Sequence, residues 1–212
     1  MTCLVRMMGV TKRFRGNAVL DGVDLEVMQG ERLAINGPNG SGKSVLLRLM
    51  CRMLLPDSGT ISIDSRYQSP GTSFPQGFGI IIDRPGFQSL RTGLENLRDL
   101  ANIRRRIGLD KIKQAMEDVG LDPGLPQRVG QYSLGMKQKL GLAQAIMEDQ
   151  QLLLLDEPFN ALDEASVSRV RQLLLRLSAE GRTIVFCSHN SDDVTELATR
   201  TLTLRDRRLH TA

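Results

Sequence analysis

Gly37-Pro38-Asn39-Gly40-Ser41-Gly42-Lys43-Ser44 constrains this chain more than any other stretch of it. The run fits G-x-x-x-x-G-K-[ST], in which glycines let the backbone take positive φ and wrap its N–H groups around phosphate oxygens. Such a loop needs a strand before it and a helix after it. Leu33-Ala34-Ile35 supplies the strand. Residues 43–54 read as the helix, with Val45, Leu46, Leu49, Met50 and Met53 on its buried side and Pro56 beyond its end. That helix aims its positive N-terminal end at the same phosphates. Lys43 is placed to neutralise β/γ charge, and Ser44 to ligate Mg2+. At ordinary residue usage a chance match arises in roughly one chain in a hundred of this size, and chance does not add the flanking strand and helix. The loop predicts a nucleoside triphosphate site on an α/β fold.

Apolar runs of strand length alternate with helical patterns along the rest of the chain, as in a mostly parallel sheet flanked by helices. Strands are expected at residues 60–63, 78–82, 152–155 and 183–187, and helices at 163–179 and from about 191. A capping box from Thr92 to Glu95 opens another helix. From there to about residue 149 the pattern is helical only, broken at Gly108-Leu109-Asp110 and Asp122-Pro123-Gly124. We therefore expect a single domain over 1–212, with a core of about 1–84 and 150–212 and an inserted helical subdomain of about 85–149. The first thirty residues, where Val23-Asp24-Leu25-Glu26-Val27 alternates, read as an antiparallel β edge.

Composition narrows the function classes. With 212 residues, 41% of them apolar, the chain can bury a sizeable core. Its 28 basic and 24 acidic residues leave a net charge of +4, too mild to argue for nucleic acid; Arg104-Arg105-Arg106 reads as a solvated helix face. No apolar run approaches the ~18 residues that cross a bilayer. No apolar core of a signal peptide accompanies Arg6, Lys12 and Arg13, and no lipid-anchor motif is present. Cys3, Cys51 and Cys187 are odd in number and far apart, as small buried hydrophobes of a reducing compartment would be. The expectation is a cytoplasmic protein with no nucleic-acid partner and no direct lipid anchor.

Leu152-Leu153-Leu154-Leu155-Asp156-Glu157 sets two carboxylates at the C-terminal end of a strand buried on both faces. Ligands of open α/β sheets bind at that edge. Asp156 is suited to hold Mg2+ directly or through water. Glu157, one residue on and facing differently, can polarise a water for attack on a γ-phosphate.

About twenty residues before that pair stands Tyr132-Ser133-Leu134-Gly135-Met136-Lys137-Gln138. The Ser133 hydroxyl, the Gly135 N–H and a helix start there suit a second phosphate contact. With this segment the sequence resembles, over nearly its whole length, the ATP-binding subunit of the ABC (ATP-binding cassette) transporters, whose signature is LSGGQ. The resemblance implies a P-loop NTPase core, ATP and Mg2+ as ligands, and a head-to-tail dimer in which Ser133 and Gly135 of one copy meet the ATP held by the phosphate loop of the other. It implies further that Phe14 stacks on adenine, that Asn160-Ala161-Leu162-Asp163 crosses the dimer interface, and that His189 is the switch histidine at the γ-phosphate. Counting back from Glu95-Asn96, the family's glutamine switch falls on Asp83, a carboxylate within reach of Mg2+ or the attacking water. Leu134 and Met136 depart from LSGGQ, and Gln144 stands where arginine is frequent. This variant signature, with an acidic switch, resembles the subgroup serving exporters of peptide antibiotics and other drugs.

The reading that results is an ATP hydrolase whose nucleotide binding closes two subunits and whose hydrolysis reopens them. Closure would pass through the helical insertion and Asp83-Arg84-Pro85-Gly86-Phe87 to separate integral-membrane subunits. The dimer is expected to be two copies of this chain, or this chain and a paralogue. Two other readings compete: a soluble ABC-type ATPase acting on nucleic acid or ribosomes, which usually carries two cassettes, a coiled coil or a basic arm, and a small-molecule kinase, which leaves residues 133–138 unexplained.

Overall fold

In the computed structural model, which describes residues 2–69, 71–83 and 86–211, two sheets enclose the first helix. The chain runs β1 (Cys3–Phe14), β2 (Asn17–Met28), β3 (Arg32–Asn36), α1 (Lys43–Met50), β4 (Ser58–Ile63), β5 (Phe78–Ile81), α2 (Gly93–Arg104), α3 (Leu109–Asp118), α4 (Leu134–Ile146), β6 (Leu152–Asp156), α5 (Glu164–Ala179), β7 (Thr183–Cys187), α6 (Ser191–Leu197), β8 (Arg200–Arg205) and β9 (Arg208–Thr211). The larger sheet has the order β5-β6-β7-β3-β8-β9 and is parallel except for β9. Its central strands are buried on both faces: Leu153, Leu155, Ile184 and Phe186 enter one core with α2 to α5, while Leu152, Leu154, Val185 and Cys187 enter the other with α1. The unbroken apolar run at 152–155 has this cause.

The first thirty residues take the expected antiparallel β structure. They form a separate three-stranded antiparallel sheet, β2-β1-β4, in which Val5 pairs with Ile63 and Met7 with Ile61. The physical reason lies in α1. Leu46, Leu47, Leu49 and Met50 are all fully buried, more than one sheet face can cover, and Val5, Met7, Leu25 and Val27 close over them from the other side. The helix is also shorter than the 43–54 pattern suggested. It stops at Met50, and Arg52 turns back at a φ of 58°. Val45 is only half-buried, Leu47 takes the buried place, and Met53 is 52% exposed.

β8 and β9 are strands that the sequence reading did not separate from the C-terminal helix. Residues 78–82 shorten to Phe78–Ile81. The helical stretch occurs as expected, with α2, α3 and α4 inserted between the sheet neighbours β5 and β6. Thr92 caps α2 and closes the box with Glu95. α4 lies against the sheet so closely that a Cβ on Gly79 would stand 2.0 Å from the Ala145 carbonyl oxygen. Cys51 and Cys187 are buried and Cys3 half-buried, all as free thiols. Among the described residues no helix is long and apolar enough to cross a membrane. Arg84 and Pro85 of the expected coupling loop lie outside the described residues.

Candidate functional site

The loop of residues 37–44 joins β3 to α1 at the C-terminal edge of the parallel sheet. Gly37, Gly40 and Gly42 hold φ of 147°, 78° and 108°, a region that side chains with a Cβ rarely adopt. Lys43 is buried, and its ammonium donates to the carbonyls of Gly37 at 2.8 Å and Pro38 at 3.2 Å. α1 has no side-chain cap, so its first N–H groups are not satisfied from within the protein. The Ser41 hydroxyl is buried with no hydrogen-bond partner among the described residues. An uncapped helix start, an orphaned hydroxyl and a lysine resting on carbonyls fit a phosphate chain, whose oxygens would satisfy all three.

Asp156 ends β6 beside Cys187 of β7, and its carboxylate accepts a hydrogen bond from the Ser44 hydroxyl. These are two hard oxygen donors side by side. Among the described residues no cluster of three or more His, Cys, Asp or Glu groups surrounds a space for a metal. A Mg2+ held by two protein oxygens, with phosphate and water completing its shell, fits this donor set. Paired with Asp156 across the sheet, Cys187 has its thiol pushed well up from its ordinary value, by burial first and by the Asp156 carboxylate second. It is a packing group.

Glu157 leaves the strand at a φ of 49°, its N–H donating to the Cys187 carbonyl at 3.1 Å. The turn swings its carboxylate to His189, whose Nδ1 lies 2.8 Å from Oε2. His189, two residues past the end of β7, is 62% exposed at its side chain. A carboxylate fixed at one oxygen and open at the other has the form of a general base. A cavity of about 380 Å³ lies over the loop, lined by Asn39, Gly40, Gly42, Lys43, Ser44, Asp156 and Glu157 with Val19 and Val45.

The remaining expected residues do not line that cavity. Phe14 ends β1, 41% exposed, with the Lys12 ammonium 5.5 Å from its ring centre. Asp83 sits at a φ of 62° and is ion-paired with Arg48 of α1, thirty-five residues earlier in the chain. Ser133 caps α4, its hydroxyl accepting from the Met136 N–H at 3.1 Å. Gly135, in the first turn, approaches residue 161 so closely that a Cβ would stand 2.6 Å from the Ala161 carbonyl oxygen. Asp163 caps α5, and hydrogen bonds from Ser166 hold its carboxyl below the usual range. A second cavity, of about 320 Å³, brings Asp83, Lys137 and Gln138 together with Asp156, Glu157 and Asn160. Gln138, which the sequence reading places in the signature segment without a role of its own, donates from its amide to the carbonyls of Glu157 at 3.2 Å and Pro158 at 3.0 Å.

Known proteins share both sequence and fold with this chain. The family model described as ABC transporter matches residues 20–160. YybJ of Bacillus subtilis (strain 168), named an uncharacterized ABC transporter ATP-binding protein, is 34% identical over 209 residues, 99% of this chain and 96% of YybJ. The bacitracin transport ATP-binding protein BcrA of Enterococcus faecalis is 36% identical over 200 residues, 93% of this chain; the match spans 65% of BcrA. The dimeric structure of MJ0796, a bacterial ABC transporter cassette, superposes with a TM-score of 0.87 at 24% identity, over 98% of this chain and 97% of that one. The chain belongs to the ABC transporter family, among its ATP-binding ATPase cassettes.

Proposed function

We propose that this chain binds ATP with Mg2+ at residues 37–44, and that two copies close on two ATP molecules and reopen on hydrolysis. That cycle would drive separate integral-membrane subunits in the direction of export. Lys43 exchanges the Gly37 and Pro38 carbonyls for β/γ oxygens, and the first turn of α1 gives its N–H groups to the same phosphates. Phe14 stacks on the adenine. Ser44 and Asp156 would hold Mg2+, which when bound offsets charge on the β- and γ-phosphate oxygens. Glu157 takes the proton of the attacking water at its free carboxylate oxygen while His189 fixes the other. Ser133 and Gly135 reach the γ-phosphate of the ATP in the other copy; in their own copy they do not line the cavity over the loop. Asp83, ion-paired with Arg48, would carry closure to the membrane subunits, with α2 to α4 acting as the subdomain that moves. Export follows from the variant signature and is in keeping with BcrA, a bacitracin transport protein by name. The assembly would stand on the cytoplasmic face of the membrane through protein contacts.

The observation that carries this reading is the 2.8 Å contact of Glu157 with His189, at the same sheet edge as Lys43, Ser44 and Asp156. Glu157→Gln should bind ATP as the wild type does and release phosphate at least about a hundredfold more slowly, since a general base contributes roughly 10²–10⁴. Wild-type turnover in that variant would remove Glu157 from the mechanism.

A further inference from the structure

Glu157 holds a backbone conformation that its sequence resists. Its φ of 49° is left-handed, it has a Cβ, and it precedes Pro158, which favours extended backbone in the residue before it. Conformations of this kind persist only where the surroundings over-determine them. Two restraints are local or within the sheet: the Glu157 N–H donates to Cys187, and the Glu157 carbonyl accepts from the Asn160 N–H at 3.2 Å. The third comes from another element. Gln138, on α4, donates from Nε2 to the carbonyls of both Glu157 and Pro158. Both partners can only accept, so the amide nitrogen must face them, and it carries one N–H for each. Gln138 is partly buried in the cavity that Glu157 and Asn160 also line. Its helix is the one that Ser133 caps.

We infer that Gln138 is a positioning residue for the hydrolytic base. It clamps the 157–158 turn so that the Glu157 carboxylate stays against His189, and it ties that turn to the helix bearing Ser133 and Gly135. The inference rests on the proposed role of Glu157 as base. In this arrangement, engagement of Ser133 by the ATP of a second copy acts on α4, and through Gln138 it reaches the base of the same chain. Each half of the dimer would sense through Gln138 whether its own signature segment is engaged.

Three substitutions test it. Gln138→Glu keeps the shape but sets an acceptor against two carbonyls, Gln138→Met keeps the length without a donor, and Gln138→Lys keeps a donor. Phosphate release, KM for ATP and melting temperature are measured for each, alone and combined with Glu157→Gln. We expect kcat at least tenfold lower in Q138E and Q138M with KM within threefold of wild type, kcat within threefold in Q138K, and no further loss when Q138E joins E157Q. A residue needed only for folding would lower the melting temperature and move KM and kcat together. Wild-type kcat in folded Q138E or Q138M, with E157Q inactive, overturns the inference; wild-type turnover in E157Q overturns the base assignment instead. If neither Q138E nor Q138M folds, Q138K decides: near-native kcat supports the clamp, and a loss as large as that of E157Q overturns it.

Discussion

Gly37→Ala should damage nucleotide binding far more than Gly40→Ala, although both glycines lie in the same loop at positive φ. A Cβ at Gly37 would stand 2.5 Å from the Leu204 carbonyl oxygen and 3.0 Å from the Ser41 hydroxyl; one at Gly40 would meet nothing within 4 Å. Left-handed backbone costs a residue with a Cβ about 1–2 kcal/mol, and both variants carry that. At Gly37 the overlap adds about 1–3 kcal/mol. Leu204 belongs to β8, which is locked in register with β3 at Ile35–Leu202 and Asn36–Thr203, so the loop must yield rather than the strand. The strain then falls on the N–H groups that are proposed to hold the phosphates. A total of about 2–5 kcal/mol corresponds to an ATP affinity at least roughly thirtyfold weaker, at 1.4 kcal/mol per tenfold. Gly40→Ala should lose about five- to thirtyfold at most. Equilibrium binding of a fluorescent ATP analogue, with melting temperatures in parallel, separates the two. Equal losses in both variants, or a G37A protein that melts early yet binds normally, would refute the reasoning.

His189→Ala deletes a hydrogen bond to a carboxylate, worth about 1.5–3 kcal/mol. Because the imidazole is 62% exposed and water can replace it, the low end applies, so kcat should fall roughly tenfold with ATP affinity within threefold. Phosphate-release kinetics beside equilibrium binding check this, and parallel loss of binding would contradict it. Thr92→Ala removes a cap worth about 1 kcal/mol and should lower the melting temperature by about 2–4 °C for a chain of this size. Glu95 is held below the usual carboxylate range, chiefly by the Thr92 N–H. Its folded-state value lies under its unfolded one, so its contribution is complete above about pH 4.3 and is lost as the pH falls through the folded value. Acid unfolding of Glu95→Gln should accordingly show a smaller loss of stability over that range than wild type.

The features that sequence reading recovers are those whose cause is local. The phosphate loop demands glycines at fixed spacing, the Thr92 box joins groups three residues apart, and the run at 152–155 records burial on both faces. What it misses depends on distant parts of the chain. β8 and β9 join through Asp206 and Arg207, both at positive φ, without the glycine that marks such a turn. The separate sheet exists because β4 returns to pair with β1, about fifty residues earlier. At the site, Asp156 and Glu157 are legible as a pair. The left-handed turn at Glu157, the Arg48 partner of Asp83 and the reach of Gln138 are not, because each is set by which elements pack side by side. The contact of His189 with Glu157 is likewise set by how β6 and β7 lie side by side.

The proposed cycle depends on a nucleotide pocket built around Lys43 in one copy and finished by Ser133 and Gly135 in another. Sedimentation equilibrium of Glu157→Gln with ATP and Mg2+ tests this most directly. A dimer should form with ATP, disperse with ADP, and fail to form when Ser133→Arg is added. A protein that stays monomeric with ATP at high concentration, or a dimer indifferent to Ser133, would contradict it.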